Sequence, residues 1–511
     1  MGYSLRVLEA TDHVGGRTRN VDVGSGIFDV ATDDVIEVGG TWLSTEHTAA
    51  LALCRELGIE VFNASFAEET LSPSRSDGSA STVEESWPWW FWGADYSADQ
   101  RSRLQRTVFH SAGRRFLFRS PSELLAGLAQ RPLVDELRRA GVAIDQAAAR
   151  LGSSCWNATQ VSAAWRDFDA QCTAGFLSSE IHSEEARQAL RNLIHSHNAQ
   201  EPEAVSFLYN LLSFKGCNSG GPDNQFRVRG GTQALPLAIA ARLGGNVSLR
   251  SAVQALRASP AGLRVETRGG RVYRAKVAIL TGPPPAVLGI DFDPPLPGAQ
   301  AQLLQRMPMG TSLKFAAVYK QGPWWREVGL QGDILATVLP KELSLPAPDS
   351  GTPIFVQCMD HSPFSRRFGA IVCFVEGRQN LHFASLPEEQ QRALMVSFLV
   401  RSFNDSRAES LQPTFVSHNW ADQPYARGAY TGFFPPGVQS VPAYWAAYRE
   451  MEKLPNLFLA GSDYHTGFGN GYIEGAIRSG ELAAERAMER LRQRSEVRPS
   501  WHGAGLAEMV V

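Results

Sequence analysis

The sequence predicts an α/β fold combined with an α+β fold, in which one discontinuous α/β domain carries two insertions that form a second domain. Short strand patterns alternating with helical patterns occur at the start, in the middle and at the end of the 511 residues. Two long blocks separate these regions, and the first is mostly helical in pattern between residues 95 and 212. We assign residues 1–78, 222–297 and 423–495 to the first domain, 79–221 and 298–422 to the second, and 496–511 to a flexible tail.

Charge and composition exclude several classes of protein. The chain has 49 Lys+Arg and 52 Asp+Glu, so its formal net charge is −3, which argues against a nucleic-acid-binding protein. The sequence contains no run of about 18 apolar residues, so no membrane span is predicted. The first residues lack the apolar core of a signal peptide, so we expect a cytoplasmic protein. The six cysteines lack zinc-ligand spacing, which predicts reduced thiols and no metal site.

Local patterns predict the elements of both domains. In the first domain, strands are predicted at residues 4–9, 22–28, 35–38, 247–253, 262–267, 272–280 and 457–461. Helices in that domain are predicted at 48–57 and 475–494. The second domain has a predicted strand at 312–319 and a predicted helix at 388–403.

Two polar or Gly-rich segments and one aromatic stretch stand apart from these elements. Residues 70–86 and 216–223 are predicted to be loops where the chain crosses between domains. Five aromatic side chains occur within residues 87–92. This stretch packs under a loop, lines a substrate funnel or binds a partner, and the sequence leaves the three alternatives open.

The N-terminal strand ends in a carboxylate that is followed by a turn. Glu9 closes the strand, and Gly15, Gly16 and Arg17 follow within eight residues. A carboxylate at the end of such a strand can hold the hydroxyls of an adenosine ribose. Paired glycines let the backbone approach a ligand closely, and Arg17 offers several donors to a pyrophosphate. The pattern alone indicates a dinucleotide site only weakly, because a solvated strand end has the same sequence.

The run of residues 7–19 resembles the start of the flavin-containing monoamine oxidase family, and five further segments agree with that family in the same order. They are residues 37–42, 226–233, 309–314 with 323–325, 419–420 with 428–430 and 435–437, and 458–463 with 471–476. The resemblance covers nearly the whole chain. It implies a two-domain flavin amine oxidase fold, with a Rossmann-like FAD domain and an inserted substrate domain.

The resemblance also implies roles for individual residues. Tyr430 and Tyr472 match the two tyrosines that stack in front of the flavin ring, and Lys314 matches the lysine that reaches flavin N5 through a water. We expect these three to be catalytic. The other contacts to FAD are expected from Glu9, Gly15, Gly16, Arg17, Gly39, Gly40, Thr41, Val253, Trp420, Gly461, Asp463 and Ile473. Asp463 stands where the family usually has a glutamate.

Two positions depart from the family pattern. Members begin with a strand, a Gly-x-Gly-x-x-Gly turn and a helix, but only eight residues precede Glu9. We therefore expect the first βα unit to be missing, either because the gene model is truncated or because this isoform binds FAD poorly. Ala429 replaces the cysteine that bonds the flavin in mitochondrial members, so we expect noncovalent FAD.

The reaction implied by the resemblance is oxidation of an amine C–N bond. A hydride would pass to flavin N5, the imine would hydrolyse to an aldehyde and ammonia or an amine, and O2 would be reduced to H2O2. The expected partners are a small-molecule amine and O2, with a homodimer left open. The alternatives are a polyamine oxidase, an L-amino-acid oxidase, or a flavin-poor protein that is not an enzyme.

Overall fold

The structure, a computed structural model, describes most of the chain. The described residues are 4–23, 34–64, 106–111, 113–119, 121–128, 132–151, 156, 160–213, 226–336, 354–355, 357–496 and 508–510. The aromatic stretch, the two predicted crossing loops and most of the strand predicted at 22–28 lie outside these residues.

The described strands belong to five sheets. They are β1 Ser4–Leu8, β2 Asn20–Asp22, β3 Val35–Glu37, β4 Trp42–Leu43, β5 Val61–Asn63, β6 Arg106–Ser111, β7 Arg114–Phe118, β8 Phe226–Val228, β9 Val247–Ser248, β10 Val253–Ser259, β11 Gly262–Thr267, β12 Val272–Ala275, β13 Val277–Leu280, β14 Asp291–Asp293, β15 Ser312–Tyr319, β16 Leu330–Ala336, β17 Gln357–Asp360, β18 Gly369–Glu376, β19 Thr414–Asn419, β20 Glu452–Leu454, β21 Leu457–Leu459 and β22 Glu508–Val510.

The described α-helices lie between and around these sheets. They are α1 Thr48–Leu57, α2 Pro121–Leu128, α3 Pro132–Leu151, α4 Ala163–Asp169, α5 Thr173–Phe176, α6 Glu184–Asn198, α7 Phe207–Leu211, α8 Ala234–Leu243, α9 Pro284–Val287, α10 Gly298–Gln305, α11 Arg378–Phe383, α12 Glu388–Phe403, α13 Arg407–Ser410, α14 Pro442–Arg449 and α15 Ile473–Glu496. The bounds predicted for α1, α12 and β15 are confirmed, and α15 extends slightly beyond the helix predicted at 475–494.

A six-stranded sheet with the order β20-β21-β13-β22-β1-β9 forms the first half of the fold. Its strands from β21 to β9 are parallel to their neighbours. Helix α15 packs on the sheet through Ala483, Ala487 and Leu491, which are spaced one helical turn apart and share a core cluster with Ile279 and Phe458. The small alanines let the long helix lie close to the strands.

Residues 508–510 form a strand, which differs from the flexible tail that we expected at 496–511. Strand β22 lies between β1 and β13, with Met509 opposite both Leu5 and Val277. A parallel strand here pairs the backbone donors and acceptors of two neighbours at once, which a sheet interrupted at this position would leave unpaired. Composition gave no sign of this pairing, because it depends on groups more than 200 residues away.

A seven-stranded sheet with the order β19-β15-β18-β17-β16-β6-β7 forms the second half. One row of facing residues crosses four of its strands: Lys314 faces Phe374, Phe374 faces Gln357, and Gln357 faces Leu335. Successive strands of a sheet lie about 4.8 Å apart. The row therefore spans about 14 Å from β15 to β16.

The expectation that residues 95–212 are mostly helical is wrong at its start. Residues Arg106–Ser111 and Arg114–Phe118 form a β-hairpin whose first strand pairs with β16. Gly113 makes the tight turn with a φ of 75°, which glycine adopts without steric cost. Edge pairing with a sheet that comes from a distant segment outweighs the local helical pattern.

Two cysteines also differ from the expected reduced state. Cys358 and Cys373 form a disulfide across β17 and β18. They face each other in the antiparallel register, with Cα atoms 4.0 Å apart. The spacing of cysteines along the sequence does not reveal such a cross-strand pair, whereas Cys54 and Cys172 are free, as expected.

Among the described residues, no helix combines the length and the apolar composition needed to cross a membrane. The strands of the first predicted domain and those of the second fall into separate sheets. The domain boundaries themselves stay a prediction.

Candidate active site

A cavity of about 970 Å³ runs between the two large sheets. Glu9 and Val253 line one end of it, and Lys314, Tyr430 and Tyr472 line a wall further along. The cavity therefore connects most of the residues that the motifs singled out. The other predicted site residues on its wall are Gly15, Gly16, Arg17, Gly39, Gly40, Thr41, Trp420, Gly461 and Ile473.

Glu9 is held by local hydrogen bonds at the end of β1. Its Oε1 accepts from the backbone N–H of Thr11 at 2.7 Å and from the Thr11 hydroxyl at 2.8 Å. The Glu9 N–H donates to Ser248 O at 2.9 Å. Both hydrogen bonds go to Oε1, so within the described part of the chain Oε2 is left to accept from a ribose in the cavity that Val253 also lines.

Arg17 and Asp463 form an ion pair that the sequence did not suggest. Arg17 binds both carboxylate oxygens of Asp463 and also donates to Tyr430 O at 2.7 Å and to Ser462 Oγ at 3.1 Å. We expected Arg17 to offer its donors to a pyrophosphate, but these four hydrogen bonds occupy most of its five N–H donors. Asp463 lies behind Arg17, fully buried, and not on the cavity wall.

The charge of Asp463 is stabilised by its surroundings. It accepts hydrogen bonds from the Gly432 N–H at 2.8 Å and from the Thr431 hydroxyl at 2.9 Å. Burial alone would raise the pKa of Asp463, but the charge and hydrogen bonds of Arg17 hold it below its ordinary value. The pair joins the first turn of the chain to segments more than 400 residues away.

Lys314 lies buried on β15 with its ammonium group against an oxygen-lined loop. Its Nζ donates to Gly39 O at 2.6 Å, to Thr41 Oγ1 at 2.8 Å and to Glu37 O at 3.3 Å. The rings of Trp42 and Phe374 lie 4.9 and 5.1 Å from Nζ. This cage of oxygens and aromatic faces fixes the position of a cation.

Burial makes Lys314 a weaker base than an ordinary lysine. Removal from water lowers its pKa from 10.5 to about 7, and the charge of Glu37 opposes that shift. Glu37 is itself buried, paired with Arg227 at 3.2 Å, and accepts from the Thr232 N–H at 2.8 Å. The sequence motifs include the Gly39–Gly40 turn beside Glu37, but they do not reveal the buried contacts that Glu37 makes with Arg227 and Thr232.

Tyr430 and Tyr472 line the same cavity from different segments. The Tyr430 hydroxyl donates to Glu376, and its ring lies edge-on to Phe374 with centroids 6.2 Å apart. The Tyr472 ring lies 5.4 Å from that of His47. The cavity therefore has two phenol rings on its wall, one of them anchored by a buried carboxyl group.

Glu376 is the main residue that the sequence analysis missed near the predicted catalytic residues. It ends β18, is fully buried, and burial raises its pKa from 4.5 to about 8. Its Oε2 has no hydrogen-bond partner within the described part of the chain. A glutamate that ends an otherwise apolar strand, Gly369–Glu376, was the available signal.

The remaining predicted residues have clear positions. Trp420 donates its indole N–H to Val38 O at 2.7 Å, which fixes the ring beside the loop that holds Lys314. Ile473 begins α15 and approaches Gly40, so that a Cβ added at Gly40 would lie 3.6 Å from its side chain. Gly461 has a φ of 127°, which an L side chain rarely adopts. Ala429 lies beside Tyr430 on the cavity wall.

The cavity wall carries side chains that can bind and orient organic molecules. Among the described residues, no group of three or more His, Cys, Asp or Glu side chains could hold a metal ion. The wall instead combines a buried lysine, two phenols and a carboxylate at the far end. Such a wall can bind a long cofactor, orient a small amine, and hold a cation near the reacting atoms.

A model of the family described as flavin containing amine oxidoreductase matches residues 1–488. The L-amino acid dehydrogenase of Synechocystis sp. is 27% identical over 492 residues, which cover 95% of this chain and 90% of that protein. The flavin-containing amine oxidase B of Canis lupus familiaris is 25% identical over 504 residues, covering 95% of this chain and 82% of that protein.

A solved structure gives the same result for the fold. The cyclohexylamine oxidase of Brevibacterium oxydans IH-35A superposes with a TM-score of 0.75 at 23% identity, covering 95% of this chain and 94% of that one. The two-domain α/β and α+β fold predicted from the sequence is therefore confirmed.

Proposed function

The chain belongs to the family of flavin-containing amine oxidoreductases, and from that premise we propose that it oxidises a small-molecule amine with noncovalent FAD and O2. The family makes the chain an oxidoreductase with a flavin cofactor. The proposal adds that O2 is the electron acceptor, that FAD is bound noncovalently, and that particular residues of the cavity take part. It rests chiefly on one observation: Lys314, Tyr430 and Tyr472 line the same cavity that reaches Glu9.

The residues of the cavity fit FAD at both ends. Among the described residues the hydrogen bonds of Glu9 use Oε1 and leave Oε2 for a ribose, and Val253, at the start of β10, lines the same cavity. At the other end, Gly39 and Gly40 carry no side chains that would block a ligand. A Cβ at Gly39 would overlap the Arg17 backbone. Ala429 offers no nucleophile, which supports a noncovalent cofactor.

The flavin, when bound, supplies the hydride acceptor for the amine. The chain supplies the arrangement around it. Tyr430 and Tyr472 present two aromatic faces that hold a neutral amine and exclude water. Glu376 keeps the Tyr430 ring in place through the hydroxyl hydrogen bond. A fixed ring orients the carbon that loses the hydride.

Lys314 serves the second half of the reaction. Its cage holds Nζ where negative charge develops on oxygen as O2 is reduced. A fixed cation stabilises that charge without reorganising solvent. With its pKa near 7, Lys314 can also take up or release a proton at working pH.

One observation favours amino-acid oxidation as a second candidate. Arg119 lines the cavity after β7, and an arginine there could bind a substrate carboxylate. Arg119 is partly exposed and lies 3.7 Å from Glu123. Substrate amino acids must therefore compete with Glu123 for it, which ranks this candidate second.

The test begins with the purified chain. We expect a yellow protein whose flavin passes into the supernatant on acid precipitation, and H2O2 release when simple amines are supplied in air. The double variant Tyr430→Ala and Tyr472→Ala should keep its flavin but lose most amine turnover. A yellow protein that releases peroxide with amino acids and with no simple amine would support the second candidate instead.

A further inference from the structure

We infer that Asp333 recognises a second cationic group on the substrate, so that the preferred substrate is a long-chain diamine or polyamine. This inference rests on the proposed function, because it takes the reacting amine to lie beside Tyr430 and Tyr472. Asp333 lies on β16 and lines the same cavity as those two rings.

The sheet fixes the separation between the two ends of the substrate. Lys314 on β15 and Leu335 on β16 are joined by the row of facing residues across β18 and β17. The Tyr430 ring packs against Phe374, which lies two strand steps, about 10 Å, from Leu335. Asp333 is two positions before Leu335 on β16, so it shares the cavity face with Leu335. A short amine beside the tyrosines cannot reach it.

The wall between the two ends suits a hydrocarbon chain. Phe374, Leu335 and Met359 line the cavity between Lys314 and Asp333. Gln357, between Phe374 and Leu335 in the row, is polar and can bind an inner amine of a polyamine chain. An apolar tract between two polar ends matches a molecule with methylenes between two nitrogens.

Asp333 is held in one orientation by two donors. The Asp360 N–H donates to its Oδ1 at 3.1 Å, and the Gln331 amide donates to its Oδ2 at 2.9 Å. A carboxylate has about four acceptor positions, so capacity remains on the cavity side. A positioned carboxylate binds an ammonium group with a charge-assisted hydrogen bond.

The surroundings leave the charge of Asp333 incompletely compensated. Burial raises its pKa from 3.8 to about 7, and the nearby charge of Asp360 adds to that shift. The charge of Arg326 opposes that shift, but its guanidinium donates to Asp360 at 2.7 and 3.0 Å. A bound ammonium group would add a direct counter-charge to the Asp333 carboxylate.

Arg119 lies at the same end of the cavity and represents the competing possibility of a substrate carboxylate. Its carboxylate partner Glu123 is exposed, as is the arginine itself. Asp333 is the better-positioned of the two because backbone and amide donors hold it, whereas Arg119 depends on a surface ion pair. We therefore assign a cationic group of the substrate, and not a carboxylate, to the end of the cavity that Asp333 lines.

The experiment compares amines that differ only in the distal group. Octylamine and octamethylenediamine have the same chain, and butylamine and tetramethylenediamine form a short pair. In the parent protein we expect KM for octamethylenediamine to be at least about tenfold below that for octylamine. The short pair should differ only by the statistical factor for two equivalent ends.

Asp333→Asn should reduce the preference for octamethylenediamine to that same statistical factor. Arg119→Gln is the matched control and should keep the preference. A second readout does not need turnover: without O2, octamethylenediamine should raise the Tm of the parent more than octylamine does, and Asp333→Asn should lose that difference.

The outcomes separate this inference from the proposed function. Oxidation of octylamine with no preference for the long diamine would overturn the inference and keep the function. A diamine-specific rise in Tm without oxidation of any amine would keep the inference and overturn the function. If Asp333→Asn fails to fold, the chain-length series on the parent decides alone, and an equal preference in the short pair overturns the inference.

Discussion

Lys314 illustrates how position changes the chemistry of an ordinary side chain. On the surface a lysine is a hydrated cation, but here three oxygen acceptors and two aromatic rings surround its Nζ. The cage holds the charge in place, while burial lowers the pKa to about 7. Both effects come from tertiary structure, since the loop at Glu37–Thr41 approaches β15 from a distant part of the chain.

Replacement of Lys314 should separate the two half-reactions. Lys314→Met removes the cation but keeps a similar length and apolar stem, so we expect reoxidation by O2 to slow by about 10²-fold or more. Reduction of the flavin by amine should change much less. Stopped-flow absorbance measures both rates. Lys320→Met, on an exposed lysine just after the same strand, is the control, and equal slowing of both steps would contradict the role.

Glu376 should make stability depend on pH in a defined direction. Its pKa is 8 or so in the folded protein against 4.5 ordinarily, so the folded state keeps a proton that the unfolded state releases. The free energy of unfolding therefore falls as pH rises from about 4.5 to about 8.

Glu376→Gln removes this titration. The Tm of the variant relative to the parent should rise between about pH 4.5 and about pH 8, the limits of the titration. Thermal unfolding across that range measures it. A constant difference in Tm would show that Glu376 does not hold its proton in the fold.

The residues that the sequence could identify are those within local motifs. Lys314, Tyr430 and Tyr472 were named from the segments around them, and they line one cavity. Asp333 and Glu376 could not be named, because their importance depends on which strand lies beside them. The partner of Arg17 was missed for the same reason: Asp463 is 446 positions away.

At the scale of elements, the position of β22 could not be expected from local patterns in the sequence. It completes a parallel sheet between β1 and β13, whose carboxyl ends lead to Glu9 and to Thr281 on the cavity wall. Strand β22 therefore stabilises β1 and β13, whose carboxyl ends form this end of the cavity.

Breaking the backbone pairing of β22 should destabilise the protein. Met509→Pro removes one N–H donor from the ladder, and we expect the free energy of unfolding to fall by about 1–3 kcal/mol. Met509→Ala keeps that donor and is the matched control. Thermal unfolding, with flavin content as a second readout, measures the effect. An equal loss in both variants would mean that the backbone pairing contributes little.

Elements with strong local patterns were predicted well, and those fixed by distant pairing were not. Helices α1 and α12 have matching bounds because their apolar spacing and end signals are local. The hairpin β6–β7 was missed because its stability comes from β16, more than 200 residues further along. The strand predicted at 272–280 is instead two strands that belong to different sheets.

At the scale of the molecule, the ion pair of Arg17 and Asp463 connects three distant segments around the cavity. Arg17 comes from the first turn, Tyr430 O from the middle of the site, and Asp463 from the segment before α15. The pair is bidentate; Asp463 is fully buried, and Arg17 is partly exposed on the cavity wall. Loss of one partner leaves a charge without compensation.

Asp463→Asn should therefore destabilise the whole protein. We expect a loss of about 3 kcal/mol in the free energy of unfolding, at the lower end for a buried pair, because Arg17 keeps its charge in a partly exposed position. Asp135→Asn is the control, since Asp135 is exposed and lies 3.9 Å from Arg138, and surface pairs contribute about 1 kcal/mol at most. Denaturant unfolding compares the two. Equal small losses would mean that the pair is not important for stability.

The overall architecture was predictable because six motifs occur in order along almost the whole chain. The fold expected from them is confirmed, and so is the flavin amine oxidoreductase family. The substrate could not be predicted, because the distal wall of the cavity comes from β6, β7, β16 and β17, which carry none of those motifs.

We propose that this chain transfers electrons from an amine to a bound flavin and then to O2. The most direct test mixes the purified holoprotein with octylamine or octamethylenediamine without O2 and follows the visible flavin absorbance. We predict that the absorbance bleaches, and that air then restores it with release of H2O2. A flavin that stays oxidised in the presence of each amine would contradict the account.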